Sequence, residues 1–236
     1  MPDPKVTDRM QDLIDQWEEV SDQRSIFLSC YKMMTENMEA ALRRQDFKDT
    51  IWVESLLERF AEHYFTALHA YDQDPHSAPQ VWQVAYDFTR DENAWALQKL
   101  LLGVNAHINF DLVLTLTEML EAEWENFSED ERLSRYWDYC FVNDIIAQTI
   151  DAVQDQVLEP AMPFMELVDR LFGRQDERLI ARLLNRWREH VWEDAMSLLA
   201  GKASGEHVRV IQKVEANALK LAREIMLTDI PTWFDE

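Results

Sequence analysis

Apolar residues recur along most of this chain at three- and four-residue intervals, the spacing of helix faces and not the alternation of strands. Met10, Leu13, Ile14 and Trp17 mark one face of a helix over about 7–20, and a second helix is predicted over about 25–44. Trp52, Leu56, Phe60, Tyr64 and Leu68 form the stripe of a third, over about 49–71. Two prolines between Asp74 and Pro79 then break the pattern. Further helices are predicted over about 80–89, 93–120, 128–158, 162–172, 176–199 and 204–227. Ser128 followed by Glu131 is the capping-box spacing that opens the sixth. Glu159-Pro160 is expected to close the sixth; Gly173 and Gly201 are expected to close the seventh and eighth. The reading is an all-α chain of about nine helices joined by short polar loops, forming a single compact bundle across residues 1–236.

Composition supports this reading. Only 4 glycines are present, too few for the many tight turns of a sandwich or barrel. The 45 acidic against 23 basic residues give a formal charge of −22, which repels a phosphate backbone and argues against nucleic-acid partners. Cys30 and Cys140 are far apart in apolar surroundings, as expected of buried thiols in a reducing compartment. No charged-then-apolar leader opens the chain, and the longest apolar stretch, Leu100 to Leu116, is interrupted by polar side chains. A cytoplasmic protein without a membrane span is expected.

Those interruptions carry the candidate chemistry. The fifth helix contains Gly103-Val104-Asn105-Ala106-His107-Ile108-Asn109-Phe110-Asp111 inside its most apolar stretch. Each buried polar side chain left without a partner would cost about 1–3 kcal/mol, so these groups must be satisfied. His107 and Asp111 lie four apart, on one face, a spacing by which one helix can offer two ligands to a cation. Asn105 and Asn109 form a second such pair on roughly the opposite face. Gly103 would let a neighbour or a ligand come close. In the eighth helix His190 and Asp194 repeat the His/Asp spacing. The sixth helix carries Asn143, Asp144, Asp151 and Asp155; the run faintly resembles the magnesium motif of class I terpene synthases but departs from it at Ala147 and Asp151. No two Glu-x-x-His motifs of a di-iron centre are found.

Several blocks together resemble one known family: Trp52-Val53-Glu54, Trp82 with Ala85-Tyr86, Gly103-x-Asn105-Ala106-His107-Ile108-Asn109-x-Asp111-Leu112, Val142-Asn143-Asp144-Ile145, and Trp187 to Ala195. They resemble a mostly bacterial family catalogued as domain of unknown function 5995, over about 52–199. The resemblance implies an all-α fold and makes the His107 helix its most specific block; it implies no activity.

The leading expectation is a metal-dependent enzyme. His107, Asp111, His190 and Asp144 would bind zinc, manganese, iron or magnesium, and Asn109 and Asn143 would act as catalytic residues on an ester or phosphoester of a small apolar molecule. The alternatives are a terpene-cyclase-like lyase, with Arg135 and Arg186 available for a diphosphate, and a non-catalytic small-molecule-binding or scaffold protein.

Overall fold

A computed structural model of the chain describes residues 5–156 and 176–227. Within them lie eight helices: α1 (Val6–Glu19), α2 (Ser25–Arg44), α3 (Thr50–Gln73), α4 (Gln80–Phe88), α5 (Ala96–Glu121), α6 (Glu129–Gln156), α7 (Asp176–Ser204) and α8 (His207–Leu227). No strand occurs among the described residues. The helix expected over 162–172, its stop at Gly173, the Glu159-Pro160 break and the C-terminal tail lie outside them.

Local chemistry accounts for most of the boundaries. The Asp49 carboxylate accepts from the Trp52 amide at 3.0 Å and caps α3. The Ser128–Glu131 box is formed in both directions: the Ser128 amide donates to Glu131 at 2.7 Å and the Glu131 amide to Ser128 Oγ at 3.3 Å. Gln45, left-handed at φ 59°, ends α2. One boundary differs from expectation. α7 runs through Gly201 to Ser204, and the stop is Gly205, whose φ of +79° a side chain would resist. Gly201 has an ordinary helical role, close to Val210 and His207 of α8.

α5 is the centre of the bundle. It packs against α2, α3, α4, α7 and α8, and α1 packs chiefly on α2. Its mean hydropathy of 1.4 over a span-length window would suit a membrane crossing, yet 78% of that window is buried inside the fold. An all-round apolar helix is here the core element. A buried carboxylate ties its neighbours together: Asp138 on α6 accepts from the amides of Lys48 and Asp49 at 2.8 and 3.0 Å, fixing the entry to α3.

Gly103 has a specific packing role. A Cβ there would lie 2.5 Å from Cγ of Phe27 and 2.8 Å from its Cβ. The neighbour that the glycine admits is therefore α2. Because the crowded atoms belong to the root of a packed ring, the strain cannot be relieved by a flexible tip. Gly103→Ala is expected to lower stability by about 1–3 kcal/mol despite improving helix propensity. Urea unfolding would show it; a variant as stable as the parent would mean that α2 can shift freely.

Candidate functional site

The polar block of α5 is locally unwound. Residues His107–Asp111 form a π-helical turn, closed by the Leu112 amide donating to the His107 carbonyl. Such turns put an extra residue into a helix and re-aim its side chains, often at functional sites. Here the Thr115 hydroxyl also donates to the Asp111 carbonyl at 2.8 Å.

His107 and Asp111 are 3% and 2% exposed. The His107 Nδ1 and Asp111 Oδ2 atoms are 3.0 Å apart. Trp82 of α4, fully buried, donates its indole N–H to both carboxyl oxygens, at 2.9 and 3.1 Å. Asp111 thus joins α4 to the π turn and orients the imidazole. The other ring nitrogen, Nε2, is buried without a hydrogen-bond partner.

Five aromatic rings surround that imidazole. Phe60 stacks flat on it, with 3.6 Å between centroids and 7° between planes. Tyr31 meets it edge-on at 4.3 Å. Phe27, Tyr64 and Trp82 complete the cage at 5.8, 6.0 and 6.1 Å. The hydroxyls of Tyr31 and Tyr64 are also buried and lack hydrogen-bond partners.

Burial, seconded by the positive field of His63, holds the imidazole well below the ordinary histidine range. Burial lifts the Asp111 carboxyl well above its ordinary range, against the opposing hydrogen bond from Trp82. Both directions favour a pair without net charge. In its neutral form the Asp111 carboxyl donates O–H to Nδ1, and Nε2 then carries the imidazole hydrogen into the cage.

The opposite face of the turn does structural work. Asn105 Nδ2 donates to the Ala218 carbonyl of α8 at 2.9 Å, and Asn109 Nδ2 donates to Asn105 Oδ1 at 2.9 Å. Asn109, expected to be catalytic, therefore supports the α5–α8 contact on the face away from His107. Asn143, the other expected catalytic residue, accepts from Arg188 Nε at 2.6 Å. Arg188 is 5% exposed, donates to the Tyr139 carbonyl at 2.7 Å and lies over the Tyr139 ring.

The expected four-ligand metal centre does not assemble among the described residues. His190 is exposed on α7, with Nδ1 2.9 Å from the Arg186 carbonyl, and Asp144 is exposed on α6. No group of three or more His, Cys, Asp or Glu side chains converges at metal-holding distance among the described residues. Asp111 Oδ2 is engaged by His107 Nδ1 and the Trp82 indole, and no third donor of this kind joins the pair among the described residues. The diphosphate contacts expected of a lyase fare similarly: Arg135 is held by Asp49 at 2.6 Å, and Arg186 is exposed.

A family of unknown function, DUF5995, matches the chain over residues 4–228. The chain belongs to the DUF5995 family. No curated protein and no solved structure matches it. The DUF5995 span is wider than the 52–199 core expected from the motifs, and the difference bears on the site. Phe27 and Tyr31, two walls of the cage, come from α2, which the motifs had left outside. The DUF5995 span also takes in α8, which receives Asn105. None of the five rings was named from sequence as a partner of the pair: Trp82 stood in the block with Ala85-Tyr86, Phe60 and Tyr64 in the stripe of α3, and Phe27 and Tyr31 lie one turn apart in an ordinary apolar stripe. Nothing in local spacing reports an indole N–H aimed at a carboxyl 29 positions away.

Proposed function

We propose that this protein is an acid–base enzyme for a small, uncharged, apolar carbonyl compound, with His107 as the proton-transfer group and Asp111 as its proton reservoir. One observation carries the reading: Nε2 of a tightly oriented histidine is buried, unpartnered and enclosed by aromatic rings. An orphan polar atom in a core is costly, and its retention fits a group kept for a ligand. The cage selects apolar bodies, and the Tyr31 and Tyr64 hydroxyls offer further donors.

The chemistry balances as keto–enol isomerisation. Nε2–H protonates the carbonyl oxygen while the Asp111 proton passes to Nδ1, leaving a carboxylate. Nε2, now bare, removes a proton from the α-carbon, and the Nδ1 proton returns to Asp111. An O–H bond has formed, a C–H bond has broken and the pair is reset. Entry requires α2 to move, because Phe27 and Tyr31 form one wall of the cage; α1, resting chiefly on α2, would travel with it.

Cyclohexanone in D2O is the test. The protein should accelerate exchange of the α-hydrogens, seen by proton NMR, and His107→Gln and Asp111→Asn should abolish the acceleration while remaining folded. Exchange no faster than in buffer, or equally fast in His107→Gln, would refute the proposal. A second reading has its own observation: Phe60 sits flat on the imidazole and Phe27 fills the Gly103 notch, as in a core polar network that fixes helix register. Under that reading the exchange rate stays at the buffer value, and His107→Phe, which leaves the buried Asp111 carboxyl without its imidazole partner, lowers stability by about 1–3 kcal/mol.

A further inference from the structure

A second site lies away from the His107 cage, where the α1–α2 turn meets α3, α4 and the start of α5. It is a cleft of about 580 Å3, within the range that holds small organic ligands. Its lining includes Arg24, Tyr71, Tyr86, Arg90, Glu92 and Lys99.

The cations there differ sharply in how they are matched. Arg24 is held by Asp22 and Asp72, each at 2.7 Å. Arg90 has a loose surface contact with Asp87 at 3.2 Å, both side chains being largely exposed. Lys99 is 6% exposed and forms neither an ion pair nor a side-chain hydrogen bond among the described residues. The acids nearest it electrostatically are Asp91 and Glu92, both exposed and neither within ion-pair distance. A chain with a formal charge of −22 has many carboxylates with which to neutralise a buried lysine, yet this one faces an open cleft without a partner. An ammonium group carried into a cleft on a buried stem, with no bonded counter-charge, gains more from an arriving anion than a freely solvated surface lysine does.

We infer that the cleft binds a small organic monocarboxylate, its anion paired with Lys99 and Arg90 and its flat apolar body against the rings of Tyr71 and Tyr86. A monoanion is favoured because only one cation is unmatched and because Asp22 and Glu92 also line the cleft, which would repel a phosphate dianion. Tyr71 is fixed for this role: its hydroxyl donates to Asp87 at 2.6 Å and its ring packs on Tyr86 at 4.8 Å. The inference goes beyond the His107 chemistry and stands or falls separately.

Benzoate is the probe, benzamide its uncharged counterpart and inorganic phosphate the competing anion, each titrated calorimetrically into the full chain. Benzoate should bind, with benzamide and phosphate at least about tenfold weaker, a difference of about 1.4 kcal/mol. Lys99→Met should weaken benzoate by at least about tenfold while keeping the parent circular dichroism and melting temperature, since methionine preserves the buried stem. Lys99→Gln serves as the second variant should Met disturb the fold. The inference is overturned if benzoate does not bind, if benzamide or phosphate binds as well as benzoate, or if the lysine variants bind benzoate like the parent.

Discussion

Asp111→Ala is expected to lower stability by about 3–5 kcal/mol, from two orphaned polar atoms at about 1–3 kcal/mol each plus the cavity the side chain leaves. Two donors or acceptors lose their partner at once. The Trp82 indole N–H, now bonded to both carboxyl oxygens, would point into an apolar void, and His107 Nδ1 would join Nε2 as an orphan. The missing carboxyl also leaves a cavity in a packed core. Asp111→Asn should behave quite differently. Its Oδ1 can still accept from the Trp82 N–H, and its amide can donate to Nδ1 as the protonated carboxyl does. A cost below about 1 kcal/mol is therefore expected for Asn, because the amide imitates the neutral acid that burial favours. Equilibrium urea unfolding of the two variants reads the contrast. An Asn variant as damaged as Ala would mean that Asp111 is held as a charged carboxylate, and the neutral-pair description would fail.

The contrast also shows which part of the site was visible in sequence. That His107 and Asp111 share a face follows from their spacing, and it holds in the fold; that they must be satisfied follows from the apolar residues around them, and it holds for Asp111 and for His107 Nδ1 but not for Nε2. The helical faces, the Ser128–Glu131 box and the Asp74–Pro79 break were legible for the same reason, since each is decided within one or two turns of chain. Spacing could not supply what lies across the bundle. His190 and Asp194 have the same four-residue interval as His107 and Asp111, but His190 lies at the surface, because the residues around it on α7 include Arg186, Glu189 and Glu193, all exposed. The π turn was equally invisible: nothing in Ile108-Asn109-Phe110 announces an extra residue in the helix. Arg188 shows the reverse failure. It stands in the charged stretch Arg186-Trp187-Arg188-Glu189, yet it is buried on Asn143 and Tyr139, on the face of α7 that packs against α6.

The pair should also leave a distinctive mark on stability as a function of pH. Its sign follows from counting protons. In the folded state the pair holds one proton beyond neutral imidazole and carboxylate, because burial lowers the His107 pKa and raises that of Asp111. In the unfolded chain the two groups titrate near their ordinary values, about 4 for aspartate and about 6.5 for histidine. Between those values the unfolded pair also holds one proton, now on histidine, and the contribution to stability is flat. Below about pH 4 the unfolded state gains a second proton that the folded core does not accept, so stability falls as pH falls. Above about pH 6.5 the unfolded pair is empty while the folded one keeps its proton, so stability falls as pH rises, until the folded pair itself ionises. Each flank should have a slope of about 1.4 kcal/mol per pH unit. Other titrating groups are removed by subtracting the curve of a His107→Gln/Asp111→Asn double variant, which has neither ionisable group. Raising the pH from 6.5 to 8.5 should then lower the parent by up to about 3 kcal/mol relative to the double variant. A flat difference across that interval would mean that the folded pair has already released its proton and that Asp111 is a carboxylate accepting Nδ1–H. His107 Nε2 would then enter the cage as a bare acceptor, and the first step at the site would be proton abstraction from the substrate.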